Sequence, residues 1–202
     1  MPHHAQFRAI ILAAGSSRRM GAQKLLMKFR DRPLIDYAID AAARWDPLVV
    51  AGTEVWRALA PRGDVKLVRN EEPQRGMSFS LKLADAAIPR DASLVLFLGD
   101  KPLVTAELAS LVCESLANAD VAYPVHLQRN EPGHPVVLGA AVRPLIATLP
   151  DGDTLHVLRS NPQLTRREVA TTDCGAFVDI DSPNEWNRAD MLRQARASTG
   201  SA

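Results

Sequence analysis

Short apolar runs alternate with amphipathic stretches along the first half of the chain. Residues 7–14 (FRAIILAA) are apolar on both faces of a strand, and residues 33–44 repeat apolar side chains at helical spacing. Further strand-like runs occupy 47–52, 65–70 and 93–98, and further helical stretches occupy 54–59, 78–87 and 105–118. Strands that are apolar on both faces and alternate with helices predict a parallel sheet covered by helices on each side.

The pattern changes after Asp120. Residues 121–139 combine short β-like runs with prolines, which predicts a hairpin or an excursion from the main sheet. Helices are predicted at 141–148, at 154–160 and after Pro183, and strands at 167–172 and 176–181. Since no repeat or linker interrupts the chain, we expect a single domain over 1–202, with 1–7 and 195–202 flexible.

Composition narrows the classes of function. The chain has 202 residues, 47% of them apolar, and a net charge of +1, which gives no general attraction to nucleic acid. The apolar runs are too short to span a membrane, and the amino terminus lacks the features of a signal peptide, so the predicted location is the cytoplasm. Cys113 and Cys174 lie too far apart in sequence to indicate a disulfide framework.

Residues 11–26 (ILAAGSSRRMGAQKLL) place glycine, hydroxyl and basic residues directly after a predicted buried strand. A P-loop is excluded because five residues separate Gly15 from Gly21 and Leu25 stands at the hydroxyl position. A dinucleotide fingerprint is unfavoured because Ser17 stands where its second glycine belongs. Backbone NH groups, hydroxyls and cations together suit a polyphosphate, so we interpret the loop as a triphosphate cradle. A solvated turn remains the alternative.

Acidic residues end two apolar runs. Asp100 follows the strand-like run 93–98, where a parallel sheet presents its active-site residues, and a carboxylate facing a triphosphate indicates a bridging Mg²⁺. Asp179 and Asp181 share one face of the predicted strand 176–181, and either could complete the metal site. The alternatives are a turn aspartate for Asp100 and a helix cap for Asp179 or Asp181.

The motifs LAAGSSRRMGAQKLL, GMSFSL, LGDKPLV, GHPVVL and DIDSPNEW occur in this order between residues 9 and 189. This series resembles the MobA-like nucleotidyltransferases, and within them the molybdenum cofactor cytidylyltransferases. The resemblance implies a GT-A-like three-layer α/β/α fold with a mostly parallel mixed sheet. It also implies Mg²⁺-dependent transfer of CMP from CTP to the terminal phosphate of molybdopterin, with release of pyrophosphate. A client molybdoenzyme or its chaperone is an implied partner.

The resemblance also assigns roles to residues. Lys24, Arg18 and Asp100 would be catalytic, with Lys24 on the α-phosphate, and Asp100 and Asp181 would hold the metal. The remaining nucleotide-binding residues would be Leu12, Ala13, Ala14, Gly15, Ser16, Ser17, Arg19, Met20, Gly21, Asn70, Gly76, Met77 and Ser78. Ala14 is typical of the cytidylyl branch, since the guanylyl branch usually has glycine there.

Two segments depart from the family pattern and leave the acceptor open. Residues 154–156 (Thr-Leu-His) replace a glycine and a basic segment, and Glu131-Pro132 precedes Gly133-His134-Pro135. His134 is a candidate contact of the acceptor. The alternative functions are therefore nucleotidyl transfer to another phosphorylated acceptor, such as a sugar phosphate, polyol phosphate or phospholactate, and a non-catalytic module that delivers a finished cofactor.

Overall fold

A seven-stranded mixed sheet forms the centre of the computed structural model, which describes residues 7–15, 22–152 and 155–199. Its strands are β1 (Phe7–Ala13), β4 (Leu48–Ala51), β5 (Lys66–Arg69), β6 (Ser93–Leu98), β7 (Val121–His126), β8 (Val136–Leu138) and β9 (Arg166–Thr171). Two short strands, β2 (Lys28–Phe29) and β3 (Arg32–Pro33), form a separate antiparallel pair. The order across the main sheet is β5-β4-β1-β6-β8-β7-β9.

Strand direction changes at β8. Strands β5, β4, β1 and β6 are parallel, whereas β8 is antiparallel to both β6 and β7, and β9 is parallel to β7. Of the two alternatives predicted after Asp120, the structure shows the hairpin: β7 and β8 form an antiparallel pair within the main sheet. Because β8 runs opposite to β6, the residues that precede β8 lie beside the carboxyl end of β6.

Seven helices surround the sheet in the described part of the chain. They are α1 (Leu34–Ala42), α2 (Thr53–Leu59), α3 (Gly76–Ala86), α4 (Ala106–Leu116), α5 (Arg143–Thr148), α6 (Leu155–Ser160) and α7 (Pro183–Thr199). Apolar residues of α1, α2, α4 and α7 share one core cluster with one face of the sheet, and those of α3, α5 and α6 share the other. The structure confirms the three-layer α/β/α prediction.

Local signals position several of these elements. Thr105 is the N-cap of α4, where its hydroxyl accepts a hydrogen bond from the Leu108 amide at 3.2 Å, as its side-chain chemistry favours. Ser182 and Glu185 form a reciprocal cap at the start of α7: Ser182 Oγ accepts from the Glu185 amide, and a Glu185 carboxylate oxygen accepts from Ser182 Oγ and the Asp181 amide.

One sequence prediction requires correction. Residues 177–181 form no regular strand, because their backbone bonds to loops, as in the Ile180 amide that donates to the Asp100 carbonyl at 3.1 Å. Helix α7 extends to Thr199 and β1 begins at Phe7, and the predicted flexibility of 1–7 and 195–202 stays a prediction. Cys113 and Cys174 are not joined in a disulfide. No helix among the described residues is long and apolar enough to cross a membrane, and the cytoplasmic location stays a prediction.

Candidate active site

The carboxyl ends of neighbouring parallel strands are joined by backbone hydrogen bonds. The Gly99 amide donates to the Leu12 carbonyl at 3.1 Å, the Gly52 amide to the Ala13 carbonyl at 3.3 Å, and the Asn70 amide to the Ala51 carbonyl at 2.8 Å. These bonds bring the ends of β1, β4, β5 and β6 together at one edge of the sheet. Ligands of open α/β sheets bind at this edge.

The predicted cradle begins where β1 ends. Leu12 and Ala13 lie in β1, Ala14 is half-buried, and Gly15 is exposed. Ser16, Ser17, Arg18, Arg19, Met20 and Gly21 lie outside the described residues, so their predicted contacts with phosphate stay predictions. Gln23 Nε2 donates to the Gly15 carbonyl at 3.2 Å, which links the two ends of the loop.

Lys24 is buried, with an exposed fraction of 7%. Its ammonium donates to Asp100 Oδ2 at 2.8 Å, to Asp181 Oδ1 at 2.5 Å and to the Ile180 carbonyl at 2.7 Å. An ammonium has three protons, so every donor is satisfied. Burial alone would lower the pKa of Lys24, but the charges and hydrogen bonds of the two carboxylates outweigh it and raise that pKa. Lys24 is therefore charged and fixed in position.

Asp100 has one free oxygen. Its Oδ1 is buried and has no hydrogen-bond partner, whereas Oδ2 accepts from Lys24. One ammonium and two carboxylates leave a net charge of −1, which disfavours a polyphosphate unless a cation also binds. Mg²⁺ is commonly held by one or two carboxylates together with substrate phosphates. Asp100 and Asp181 fit that donor set, although residues 7–15, 22–152 and 155–199 contain no group of three or more acidic, histidine or cysteine ligands.

Asp179 and Asp181 face different cations. Asp181 contacts Lys24, whereas the closest cation to Asp179 is Lys101, with Nζ 3.9 Å from Asp179 Oδ2. Ser182 and Glu185 form a cap at the start of α7. The structure therefore brings Asp100 and Asp181 together through Lys24 and leaves Asp179 outside that group.

Asn70 is fully buried, and its side chain holds the turn that follows β5. Its Nδ2 donates to Ser80 Oγ at 2.9 Å, and its Oδ1 accepts from the Glu72 amide at 2.8 Å. Both atoms have protein partners in this arrangement. Asn70 therefore fixes the position of α3, and its contribution to the nucleotide pocket stays a prediction.

The start of α3 is in close contact with the loop 150–152. Gly76 has φ +86°, and a Cβ there would lie 2.7 Å from the Gly152 Cα. Ser78 Oγ donates to the Pro150 carbonyl at 2.8 Å, and Arg75 Nε donates to Asp151 at 2.7 Å. Met77 is half-buried against the core cluster under α3. The predicted residues Gly76 and Ser78 therefore join two loops of the site.

Sequence reasoning missed two basic residues, Lys101 and Arg159, whose charges both act on His134. Lys101 is buried next to the predicted metal ligand, and Arg159 projects from α6 on the inward side shared with Leu155 and Leu158. For Lys101 the signal was its position at the end of β6. For Arg159 the signal was its position four residues after Leu155, which lies three residues before Leu158, so that all three share one face of the helix.

Comparison with known proteins identifies the fold and family. The MobA-like NTP transferase domain matches residues 9–167. The chain is 24% identical over 182 residues to the molybdenum cofactor cytidylyltransferase of Escherichia coli strain K12, which covers 88% of this chain and 92% of that protein. It is 25% identical over 193 residues to the nicotine blue oxidoreductase of Paenarthrobacter nicotinovorans, covering 89% and 94%.

Solved structures show the same architecture. Rv0371c from Mycobacterium tuberculosis H37Rv has a TM-score of 0.80 and 24% identity, over 93% of this chain and 98% of that one. Its complex with manganese has a TM-score of 0.77 and 23% identity, over 93% and 98%. At these identities the similarity shows the fold. The two sequence relatives also have different names, so the substrates of this chain do not follow from the comparison.

Proposed function

The chain belongs to the MobA-like NTP transferase family, and from this premise we propose that it transfers CMP from CTP to the terminal phosphate of molybdopterin, with Mg²⁺. The observation that carries the proposal is the contact of Lys24 with both Asp100 and Asp181 at the carboxyl edge of the sheet. It combines a fixed cation with two carboxylates, which are the groups that nucleotidyl transfer requires.

The reaction needs charge stabilisation more than acid–base catalysis. An oxygen of the acceptor phosphate forms a bond to the α-phosphorus of CTP, and the bond from that phosphorus to the bridging oxygen breaks. Pyrophosphate leaves with the electron pair, and no proton must be removed first, because the acceptor phosphate already has an oxygen with negative charge. The absence of a general base from the predicted residues is consistent with this chemistry.

Lys24 would stabilise the α-phosphate. Its ammonium is buried and charged, so its interaction with developing negative charge is stronger than in water. Asp100 and Asp181 would hold the metal, with the free Oδ1 of Asp100 as one ligand atom. Bound Mg²⁺ would neutralise phosphate charge and polarise the phosphoryl oxygens. Arg18 and the loop amides would retain the leaving pyrophosphate.

The choice of CTP is supported by the sequence at the end of β1 and by the name of the Escherichia coli relative. Ala14 stands at the position where the guanylyl branch usually has glycine. Its backbone lies close to Gly52, since a Cβ on that glycine would be 3.4 Å from the Ala14 carbonyl oxygen. We therefore expect this part of the pocket to accept the smaller pyrimidine base.

Pyrophosphate release tests the proposal. The purified protein is assayed with Mg²⁺, molybdopterin and each of CTP, GTP, ATP and UTP, beside Lys24→Ala and the exposed-lysine control Lys66→Ala. We expect release with CTP, its loss in Lys24→Ala and normal release in the control. Release with GTP instead would refute the role of Ala14. Tight CTP binding without turnover would favour another phosphorylated acceptor or a delivery module.

A further inference from the structure

Lys101 is a buried cation with no hydrogen bond from its ammonium to any described residue. Its exposed fraction is 6%, and its nearest carboxylate, Asp179, lies 3.9 Å away on a half-exposed side chain. Lysine is seldom buried unless a partner balances its charge. The environment of Lys101 is in this respect opposite to that of Lys24, whose three protons all have partners.

Arg159 is a second cation of this region. It has no carboxylate partner in the described part of the chain. Its Nε is buried without a hydrogen bond, and its guanidinium carbon lies 5.7 Å from the centroid of the Tyr123 ring. Burial lowers the pKa of this guanidinium. A ring face compensates only part of the solvation that a buried guanidinium loses.

His134 is close enough to Lys101 and Arg159 for both positive charges to act on its imidazole. Its ring hydrogen-bonds to the backbone of Leu96, Nδ1 is buried without a partner, and the side chain is 9% exposed. Burial, followed by the positive charges of Lys101 and Arg159, lowers its pKa to about 3. The imidazole is therefore neutral, and its free Nδ1 can accept a hydrogen bond.

From these three residues, here called the Lys101 cluster, we propose a binding site for the phosphate monoester of the acceptor. A phosphate monoanion would balance the net charge of +1 that Lys101 and Arg159 leave beside Asp179, and its hydroxyl could donate to His134 Nδ1. Charge-assisted hydrogen bonds of this kind are among the strongest in proteins. Beside Asp179, the protein alone therefore leaves one positive charge of this pair of cations unbalanced, and the substrate supplies the missing negative charge.

The location assigns this phosphate to the acceptor. The cluster lies on the β8 side of Asp100, since Leu96 in β6 pairs with Val136 in β8 and His134 precedes β8. The predicted CTP phosphates bind on the other side, at the loop after β1. A phosphate held next to Asp100 would approach the α-phosphate from that opposite side. The identity of the acceptor rests on the proposed function, whereas the binding of an oxyanion at this site does not.

Direct binding tests the site without catalysis. The melting temperature is measured with increasing inorganic phosphate and saturating CTP and Mg²⁺, for the wild type, Lys101→Met and Arg159→Gln. Lys66→Met and Arg167→Gln are matched controls at exposed positions. We expect phosphate to stabilise the wild type and both controls but neither cluster variant. Without phosphate, Lys101→Met should melt at the wild-type temperature or above, because the 3.9 Å pair with the half-exposed Asp179 offsets little of the cost of burying this ammonium.

Steady-state kinetics then tests the acceptor. Lys101→Met and Arg159→Gln should raise the KM for molybdopterin about 10- to 100-fold, the loss typical of a hydrogen bond to a charged group. The dissociation constant of CTP should remain within about twofold, because the cluster does not contact the nucleotide. Both controls should keep the wild-type values.

The outcomes separate this inference from the proposed function. No stabilisation of the wild type by phosphate would overturn the site. Stabilisation that the cluster variants lose, together with an unchanged KM for molybdopterin, would identify a site for free phosphate and overturn the acceptor assignment. If the wild type shows that stabilisation but no turnover with molybdopterin, the oxyanion site stands and the proposed acceptor is wrong.

Discussion

Lys24 Nζ lies 2.5 Å from Asp181 Oδ1, although 157 positions separate the two residues in the sequence. The contact joins two segments at the carboxyl edge of the sheet. Lys24 follows the loop after β1, and Asp181 precedes α7. Asp100 joins the same ammonium from the end of β6. The buried ammonium of Lys24 therefore holds together three segments that are distant in sequence.

Replacement of Lys24 should destabilise the protein and make it more responsive to metal. In Lys24→Met, Asp100 and Asp181 would lose their common cation, and we expect a loss of about 1–3 kcal/mol in the free energy of unfolding. Mg²⁺ should restore part of that loss by binding the same carboxylates. Urea denaturation with and without Mg²⁺ measures both effects.

Lys66→Met is the control for this experiment, because Lys66 forms an exposed ion pair with Asp46. It should lose little stability and gain none from Mg²⁺. If Mg²⁺ stabilised the wild type and Lys24→Met equally, this would contradict the binding of Mg²⁺ to the carboxylates that Lys24 contacts.

Asp181 and Asp179 should differ in their effect on metal-dependent turnover. Asp181→Asn removes a charge beside Asp100 and should lower turnover on the order of 100-fold, as is typical when one charge-stabilising group is lost. Asp179→Asn keeps both carboxylates that contact Lys24 and should change turnover much less. Titration of activity with Mg²⁺ measures the difference. The reverse order would assign Asp179 as the ligand.

Gly76→Ala should destabilise the protein more than Gly63→Ala. Gly76 has φ +86° and ψ −173°, a conformation that is essentially restricted to glycine, and a Cβ would contact the backbone of Gly152 at 2.7 Å. Gly63 has φ +67° with no atom within 4 Å of an added Cβ, so alanine there introduces backbone strain of about 1–2 kcal/mol without a clash.

The two glycine variants are compared by thermal unfolding and by CTP binding. Gly76→Ala should also weaken CTP binding, because the loop 150–152 would move away from α3. Equal loss of stability in the two variants would show that the contact between Gly76 and Gly152 has no energetic importance.

His134 should make the protein less stable at mildly acidic pH. Burial and the charges of Lys101 and Arg159 lower its folded-state pKa to about 3, below the unfolded value near 6.5. Between these values the unfolded state takes up a proton that the folded state does not, so stability falls as pH falls. The slope approaches about 1.4 kcal/mol for each pH unit below 6.5.

Denaturation at pH 7 and pH 5 tests the titration of His134. The wild type should lose about 2 kcal/mol more than His134→Gln between these conditions. His156→Gln, at an exposed position of α6, should keep the wild-type dependence. The same pH dependence in all three proteins would mean that His134 is accessible to solvent.

The sequence by itself determined the architecture of the parallel half and the position of its candidate chemistry. Apolar runs such as residues 93–98 can be buried only as strands between helices, and glycine or aspartate at their ends marks the carboxyl edge. The hydroxyl of Thr105 likewise caps α4 through the amide of Leu108, three residues later, so this feature also depends on local sequence alone. Local backbone preference and hydrophobic period are sufficient for such features.

Only the tertiary structure decided how charges were paired. Period two placed Asp179 and Asp181 on one strand face, but the segment follows a loop path in which they meet different lysines. Lys24 and Lys101 are both lysines near a turn, yet one has three partners and the other has no hydrogen bond from its ammonium among the described residues. Burial and electrostatic pairing depend on segments distant in sequence, and no local pattern encodes those distances.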